Sequence, residues 1–435
     1  MSPSNNTCRI GVSGADITPP VGIHLAGFAA RQEPSTAVYH PLKANAIAID
    51  DGTTPLLIVS AEILGFYEHT DQVRSRIAAA TGIEPAAIIL SGSHTHCGPC
   101  IRDMDLHRHG ELDEDYVEAL VDKVTRCAGA AWETRRPARL RFGTGTCDIA
   151  VSRRKPDGKG GVEWKPSVEA PHDHDVPVLV VESPDGGLQS VLFSYACHPT
   201  SRSGTLIGGD YVCFAYDHVE ATHPGVTAFF LQGCAGDQKT EPVDPASDVF
   251  VPRDIDEIRD IGVRLGQSVA RTVASDALRP VTGPVSVNQT ILGLETEPID
   301  MDLVKTGLND NRAFVRAWAQ HLLESVESNT PVPTTVPFEI QTVRFGNTLA
   351  LVTLAAEMTV EHGLRLKREL GPHFDNVLVM AYTNDIVGYI PVKRQIPEGG
   401  YEVWSSQQYW KRTGPYVADT EDRIHSAVRQ SLNIP

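Results

Sequence analysis

Short apolar segments that begin or end at glycine, proline or aspartate restrict the fold of this chain more than any other feature. The clearest cover residues 138–144, 176–182, 190–197 and 226–232. Several are apolar at successive positions, which indicates strands buried on both faces between layers of helices. A hairpin is also predicted where the apolar runs 42–50 and 56–60 flank the turn Asp51-Gly52.

Segments with helical spacing alternate with these strands. The spacing predicts helices over residues 67–81, 113–131, 254–275, 311–327, 359–370 and 420–432. No internal repeat and no long linker rich in proline, glycine or serine divides the chain. We therefore predict an α/β fold, with α+β as the alternative, in which mixed sheets are covered by helices and residues 1–435 form one catalytic domain.

Composition excludes several classes of protein. A chain of 435 residues that is 41% hydrophobic, with a formal net charge of -17, is neither disordered nor suited to binding nucleic acid. No apolar run is long enough to span a membrane, and the first residues do not read as a secretory signal. Eight thinly spread cysteines are typical of reduced thiols. We expect a cytoplasmic location and leave a homo-oligomer open.

The segment SGSHTHCGP, residues 91–99, directly follows the apolar run 87–90. If that run is a buried strand, its end delivers His94 and His96 to the crevice at the sheet edge. Such a pair of histidines is a candidate metal or catalytic site. Taken alone, the two residues are equally well explained as polar members of a turn.

Four further polar residues follow predicted strands. His198 ends the run 190–197 before Pro199, and Asp237 follows two glycines after the run 226–232. Glu357 follows the run 351–356, and Tyr389 comes shortly after the run 377–383. Each has an ordinary structural explanation, such as a helix start for Glu357 or a core aromatic for Tyr389. Together, several strand ends of this kind predict one shared site.

These motifs, taken in order, resemble a known family. SGSHTHCGP, YACHPT, FFLQGCAGD, AAEMT, and DIVGYIP followed by YEVWSSQQY are similar to the catalytic domain of the neutral, non-lysosomal ceramidases. The resemblance runs from about residue 10 to about residue 409. It implies one Zn²⁺ cofactor held by His94, His198, Glu357 and Tyr389.

The same resemblance assigns further roles. It implies that His96 contacts the substrate amide, and that Arg153 and Tyr401 lie beside the reacting group, with the neighbouring Arg154 as the alternative to Arg153. Two imidazoles and a carboxylate are a ligand set of hydrolytic zinc, which lowers the pKa of water toward ~7. The remaining donors would stabilise the oxyanion of a tetrahedral intermediate. The predicted function is zinc-dependent hydrolysis of an amide bond in a small-molecule or lipid-like N-acyl substrate, with Asp237 as a further catalytic candidate.

The chain departs from the family at the position of its nucleophilic serine. The sequence after the two glycines reads Gly236-Asp237-Gln238-Lys239-Thr240, so Lys239 stands where the serine is expected and Thr240 is one residue out of register. We therefore hypothesise that a metal-activated water is the nucleophile.

Family members continue into a C-terminal domain where this sequence stops. Together with the expected cytoplasmic location, this favours a soluble N-acyl amide over ceramide. An esterase or lactonase that uses the same site is one alternative, and a catalytically silent protein that binds an acylated ligand is another.

Other groups of potential metal ligands leave alternatives open. His172 and His174 alternate with aspartates in the loop His172-Asp-His-Asp175, where they could bind a metal, contact substrate or lie on the surface. His107 and His109 offer a second pair. Cys97 and Cys100 have the spacing of redox or zinc motifs but lack a second pair.

Overall fold

The computed structural model describes residues 8–102 and 112–434. The strands in this part of the chain, β1 to β20, are Cys8–Asp16, Ala37–Val38, Lys43–Asp50, Pro55–Ala61, Ile88–Gly92, Arg136–Thr146, Ala150–Pro156, Val162–Ser167, Asp175–Glu182, Leu188–Tyr195, Leu206–Ile207, Thr227–Gln232, Gln238–Thr240, Arg279–Val281, Val285–Glu295, Thr335–Phe345, Leu349–Leu354, Glu357–Met358, Val377–Met380 and Tyr389–Ile390. The predicted hairpin is present, because β3 and β4 pair antiparallel around Asp51-Gly52.

Ten α-helices accompany the strands over the described ranges. Helices α1 to α10 are Thr70–Thr81, Glu114–Glu133, Tyr211–Thr222, Ile255–Val273, Met301–Gly307, Ala313–Glu327, Val360–Leu370, Gln395–Glu398, Ser406–Tyr409 and Thr420–Ser431. A π-helical turn, Tyr401–Ser405, precedes α9. No helix among the described residues is both long and apolar enough to cross a membrane.

Aspartates at the first turns explain where the two longest helices begin. The side chain of Asp113 accepts a hydrogen bond from the backbone N–H of Tyr116 at the start of α2. At the start of α4, Asp254 and Glu257 form a capping box in which each side chain bonds the other's backbone. Both arrangements satisfy N–H groups that a helix cannot satisfy internally. The predicted starts at 113 and 254 therefore correspond to the capping residues.

Two sheets form the centre of the fold. The larger has nine strands in the order β12-β10-β9-β6-β1-β3-β4-β5, with β14 paired to β6. The smaller has four strands in the order β15-β16-β17-β19. Both mix parallel and antiparallel pairs: β4–β5, β10–β12 and β17–β19 are parallel, and most neighbouring pairs are antiparallel. This is the mixed-sheet arrangement that the apolar segments predict.

The sheets pack face to face and are covered by helices on their outer sides. Ile47 and Ile58 of the large sheet share one apolar cluster with Leu351 of the small sheet. The opposite face of the large sheet packs against α1 and α2 in one cluster and against α3 and α4 in another. The outer face of the small sheet packs against α7 and α10. The order of layers is therefore helix, sheet, sheet, helix, which buries most strands on both faces.

The strand ends that carry the candidate residues meet between the two sheets. Isolated bridges link Ser91 to Thr383 and His198 to Lys239. The two-stranded sheet β18-β20 lies here as well, and its register places Glu357 directly beside Tyr389. The predicted convergence of strand ends thus occurs across sheets and not along one sheet edge.

A buried histidine pair joins α7 to α10. Nδ1 of His362 lies 3.2 Å from Nε2 of His425, and both residues are fully buried. Burial lowers the pKa of His362 to about 4 and also lowers that of His425. Both imidazoles are therefore neutral in the folded protein at neutral pH.

The pair predicts a loss of stability in mild acid. The unfolded chain takes up protons at His362 below a pKa near 6.5, whereas the folded chain does so only near 4. The stability contribution is complete above pH 6.5 and falls as the pH drops toward 4, by about 3 kcal/mol for this group. Urea unfolding at pH 7.5, 6 and 5 measures the slope.

His425→Gln tests the source of this slope. Removing one titrating imidazole is expected to flatten the decrease in unfolding free energy between pH 7.5 and 5. His373→Gln is the control, because His373 lies exposed just after α7. A slope that is unchanged in His425→Gln would show that other groups cause the acid sensitivity.

Candidate metal centre and active site

His94 follows β5 with a left-handed backbone conformation, at a φ of 64°. Its Nδ1 lies 2.8 Å from the carbonyl oxygen of Leu64, which indicates that Nδ1–H donates and that Nε2 carries the lone pair. Nε2 lies 3.2 Å from Oε2 of Glu357. An imidazole oriented by a backbone carbonyl is the usual arrangement of a metal-ligating histidine.

His198 has the same arrangement on the other side of Glu357. Its Nδ1 lies 2.6 Å from the carbonyl oxygen of Ala235, and its Nε2 lies 3.3 Å from Oε2 of Glu357. The hydroxyl of Tyr389 is 3.3 Å from the same Nε2. Burial lowers the pKa of His198 to about 4, although Glu357 opposes this shift. The neutral imidazole, which is the form that binds metals, is therefore present at neutral pH.

Glu357 brings the two histidines together. Burial disfavours its charged form, but the adjacent His94 and His198 outweigh burial and hold the pKa of the carboxyl below its ordinary value. Oε2 is buried without a hydrogen-bond partner, although two imidazole nitrogens lie close to it. A buried carboxylate in this state requires a further positive partner.

His96 completes the cluster. Neither of its ring nitrogens has a hydrogen-bond partner, and burial, followed by His94 and His198, lowers its pKa well below the ordinary value. Gly27, with a φ of 95°, packs against the ring of His96. A Cβ at this position would lie 2.4 Å from the ring, so the absence of a side chain makes room for it. The ring is therefore held neutral, with both nitrogens available to a bound group.

The donor set fits a metal ion. The ligand atoms of His94, His96 and His198 lie within 4.8 Å of one another, and they form the one such group found in residues 8–102 and 112–434. Oε2 of Glu357 lies close to Nε2 of His94 and to Nε2 of His198. Three histidines, or two histidines and a carboxylate, are both ligand sets of catalytic zinc. The structure brings together His94, His96, His198, Glu357 and Tyr389, and His96 lies close enough to act as a ligand.

Arg153 and Arg154 point to different places, although both contact Glu402. Nε of Arg153 donates to Oε1 of Glu402 at 2.8 Å, and the guanidinium lies 5.3 Å from the ring of Tyr389. Nη1 of Arg154 donates to Oε2 of Glu402 at 2.7 Å, and its Nη2 bonds Glu398. Burial opposes the charge of Arg153, but Tyr389 and Glu402 raise its pKa above the ordinary value. The geometry therefore places Arg153, and not Arg154, beside the cluster.

Tyr401 lies at the first position of the π-helical turn. Its ring centroid is 5.3 Å from that of Tyr389 and 5.4 Å from the Arg153 guanidinium carbon. Trp164, on β8, packs edge-on against Tyr401 at 5.1 Å and lies 4.2 Å from the same guanidinium. Short π-helical segments are frequent at functional sites.

The cluster opens into a cavity of about 110 Å³. Aromatic and apolar side chains form much of its wall, together with one arginine. The lining residues are Ala26, Gly27, Ala29, Leu64, Tyr67, His94, His96, Cys100, Ile101, Arg102, Glu357, Tyr389, Tyr401, Ser406, Tyr409 and Trp410. A compact site with a few convergent polar groups is typical of small-molecule binding.

Comparison with known proteins identifies the family of this chain. The family model described as neutral/alkaline non-lysosomal ceramidase, N-terminal, matches residues 8–320. The chain belongs to this family. The search of curated proteins found no match.

Two solved structures have the same fold as this ceramidase-family chain. The neutral ceramidase from Pseudomonas aeruginosa superposes with a TM-score of 0.77 at 20% identity, over 99% of this chain and 76% of that one. A ceramidase complexed with C2 gives a TM-score of 0.76 at 20% identity over the same shares. The predicted α/β fold with mixed sheets is confirmed.

Neither Lys239 nor Thr240 lines the cavity of this ceramidase relative. Nζ of Lys239 donates to Oγ1 of Thr200 at 2.8 Å and to its carbonyl oxygen at 3.1 Å. Burial, with Arg153 nearby, lowers the pKa of Lys239 to about 8. Oγ1 of Thr240 is 3.1 Å from Oγ of Ser201. The hydroxyl of Thr240 and the ammonium group of Lys239 are therefore both engaged away from the cavity.

Asp237 holds the neighbouring segments in place. Its Oδ1 accepts the backbone N–H of Val360 at 2.9 Å, at the start of α7, and its Oδ2 accepts Nε2 of Gln395 at 3.0 Å. Burial, followed by the charge of Glu402, raises the pKa of Asp237. Asp237 does not line the cavity. This placement favours a positioning role over direct contact with substrate.

The rival metal ligands lie outside the cluster. His172 and His174 stack on each other at 4.1 Å, while Asp173 and Asp175 bond Lys367. Cys97 and Cys100 are buried, and neither forms a disulfide in the described part of the chain. Neither pair belongs to a group of three or more ligands in the described part of the chain. His107 and His109 lie outside the described residues.

Several residues at the site have no signal in the sequence alone. Tyr382, with a φ of 56°, places its hydroxyl 3.4 Å from Nδ1 of His198. Glu402 reaches Arg153 from a distant part of the chain, and its position beside the candidate Tyr401 is its one signal in the sequence. Trp164 reaches Arg153 from β8, the antiparallel partner of β7, a strand pair that the sequence analysis does not predict. The position of Tyr382 depends on the arrangement of a loop, which sequence spacing does not predict.

Proposed function

We propose that the chain is a zinc-dependent hydrolase that cleaves the amide bond of an N-acyl substrate. The observation that carries the proposal is the approach of His94 Nε2 and His198 Nε2 to one unpaired oxygen of Glu357, at 3.2 and 3.3 Å, in the wall of a cavity. Membership of the ceramidase family supports the amide as the bond that is cleaved.

The proposed zinc ligands are His94, His198 and Glu357, with Tyr389 as the fourth. A bound zinc ion lowers the pKa of water toward ~7 and polarises a carbonyl oxygen. The protein orients the two imidazoles through the carbonyl groups of Leu64 and Ala235. This preorganisation leaves both Nε2 atoms ready for coordination without rearrangement.

The remaining polar groups would act on the substrate. His96 has both ring nitrogens unpaired, and Nη2 of Arg153 is also buried without a partner. With the hydroxyl of Tyr401, they form a set of donors for the oxyanion of a tetrahedral intermediate, where each donor contributes about 3 kcal/mol. Fixed donors of this kind stabilise charge that develops only in the transition state.

A water molecule, and not a side-chain hydroxyl, is the proposed nucleophile. Two observations support this: Lys239 bonds Thr200 where the family's serine is expected, and Thr240 bonds Ser201. A hydrolysis of this type passes through no acyl-enzyme. The eight cysteines form no disulfide in the described structure, which supports the cytoplasmic location that we retain as a proposal.

Metal analysis and a substrate panel test the function. We expect about one zinc per chain in the purified protein, hydrolysis of short N-acyl amides, loss of the activity with a chelator, and its recovery with zinc. Amides are assayed beside esters and lactones that share the same acyl group. Turnover of esters or lactones without amides would indicate the alternative activity, and tight binding without turnover would indicate a silent binder.

Two results would contradict the proposal directly. One is hydrolysis that persists in protein shown to be free of metal. The other is a stable acyl adduct on Thr240, detected by mass spectrometry after rapid quenching, because it would restore a covalent mechanism. Thr240→Val then serves as the matched control, since it removes the hydroxyl and keeps the shape of the side chain.

A further inference from the structure

One positively charged side chain, that of Arg102, lines the cavity and does not belong to the metal cluster. Among the described residues that line the cavity, Arg102 is the one lysine or arginine, and Glu357 is the one acid. Glu357 is engaged with His94 and His198. Arg102 is therefore the charged group that faces the remainder of a bound substrate, in a protein whose net charge is -17.

The guanidinium of Arg102 contacts two aromatic rings that adjoin each other. Its central carbon lies 4.4 Å from the ring centroid of Trp410 and 5.0 Å from that of Tyr67. Both rings also line the cavity. Cation–π contacts of this kind hold the guanidinium in place and leave its N–H groups able to donate to a further acceptor.

One nitrogen of the Arg102 guanidinium has no hydrogen-bond partner. Its Nε lies 3.2 Å from Oε2 of Glu68, whose side chain is about half exposed. Its Nη1 is buried and has no hydrogen-bond partner. A buried N–H group of a charged side chain is costly to leave unpaired, so the site favours a ligand that accepts from it.

We infer that the cavity takes an N-acyl amide that bears a carboxylate, and that Arg102 binds this carboxylate. The inference rests on the proposed amide hydrolysis and names its substrate class. A carboxylate matches the planar donor edge of a guanidinium and can accept two parallel N–H bonds. Ile101, Tyr409 and Trp410 provide apolar and aromatic surface in the same cavity for the body of the substrate.

Two matched pairs of amides test the inference with the zinc-loaded protein. In the first pair the carboxylate is on the acyl side, as in adipic acid monoanilide compared with hexananilide. In the second it is on the amine side, as in N-hexanoylglycine compared with N-hexanoylglycinamide. We expect kcat/KM to favour the carboxylate by about 10- to 100-fold in at least one pair. The pair that shows the preference identifies the side of the amide that faces Arg102.

Arg102→Gln is expected to reduce this preference at least about 10-fold, and Arg102→Lys is expected to give an intermediate value. The readout is the ratio of kcat/KM within each pair, so a general loss of activity does not affect it. Arg126→Gln is the matched control, because Arg126 is 70% exposed on α2 and contacts only Asp122 at 3.9 Å in the described structure. Its ratio should equal that of the unmodified protein.

A ratio near one in the unmodified protein, or an unchanged ratio in Arg102→Gln, would overturn the inference. If the zinc-loaded protein hydrolyses none of the four amides, the proposed function fails. The carboxylate site at Arg102 is then tested separately, by measuring the affinity of the protein for two of these ligands. Calorimetry with adipic acid monoanilide and N-hexanoylglycine then compares the unmodified protein with Arg102→Gln. A Kd at least about 10-fold weaker in the variant upholds the carboxylate site, and equal Kd values refute it.

Discussion

His94→Asn is expected to lose zinc and hydrolysis together while remaining folded. Asparagine tolerates the left-handed backbone at this position, whereas the shorter side chain removes Nε2 from its place beside Glu357. Loss of the ion removes several kcal/mol of transition-state stabilisation, so kcat/KM should fall at least about 1000-fold. Zinc content, circular dichroism and kcat/KM are measured on the same preparation. His94→Ala and Glu357→Ala should give the same result.

His96→Gln separates the two ligand sets that the geometry allows. If His96 contacts substrate, the variant keeps about one zinc per chain and loses about 100- to 1000-fold in kcat. If His96 is instead a zinc ligand, metal and activity are lost together, as in His94→Asn. His172→Ala is the control, because His172 lies apart from the cluster and its Nδ1 bonds only the backbone of Ala170. Full zinc occupancy in both His94→Asn and Glu357→Ala would refute the assigned ligands.

The sequence is informative where one short segment contains both a strand and its functional residue. The apolar run before SGSHTHCGP predicts β5, and the strand end then places His94 and His96 in the crevice. The same reasoning predicts the position of His198 after β10. In these segments the position of the functional residue is marked by the end of a continuous apolar run, because a strand buried on both faces is apolar at successive positions.

The sequence is less informative where partners come from distant segments. Arg153 lies inside β7, and its partner Glu402 comes from a distant segment. Glu357 follows β17 by three residues, as predicted, but the pairing of β18 with β20 that places it beside Tyr389 has no signal in the sequence. Two-residue strands have no periodicity to detect, because their pairing is set by the surrounding tertiary structure.

Glu402 is the second residue whose replacement should have a large effect. It lies between Arg153 and Arg154, accepts one hydrogen bond from each at 2.8 and 2.7 Å, and its side chain is 1% exposed. Burial opposes its charge, but the two arginines lower its pKa and keep it ionised. Arg153 therefore depends on Glu402 for charge compensation, and Arg154 shares Glu402 with Glu398.

Glu402→Ala is expected to lower the free energy of unfolding by about 3 to 5 kcal/mol, because it leaves buried cations without their partner. Urea denaturation at pH 7.5 measures the loss. Glu398→Gln is the matched control: Glu398 bonds Nη2 of Arg154 at 3.1 Å but is 25% exposed, so its loss should cost less than about 1 kcal/mol. Equal losses in the two variants would refute the importance of the buried network.

Glu402→Gln examines the catalytic consequence with less damage to the fold. The amide keeps the size of the side chain and one acceptor oxygen, so one arginine can remain hydrogen-bonded while the charge that orients both is lost. Because Arg153 lies over the rings of Tyr389 and Tyr401, a displaced guanidinium should lower kcat more than it raises KM. Zinc content should stay near one per chain, because the carboxylate of Glu402 bonds Arg153 and Arg154 and none of the proposed zinc ligands in the described structure. A variant that is less stable but keeps its full kcat would show that the network only supports the fold, and that Arg153 does not act on the transition state.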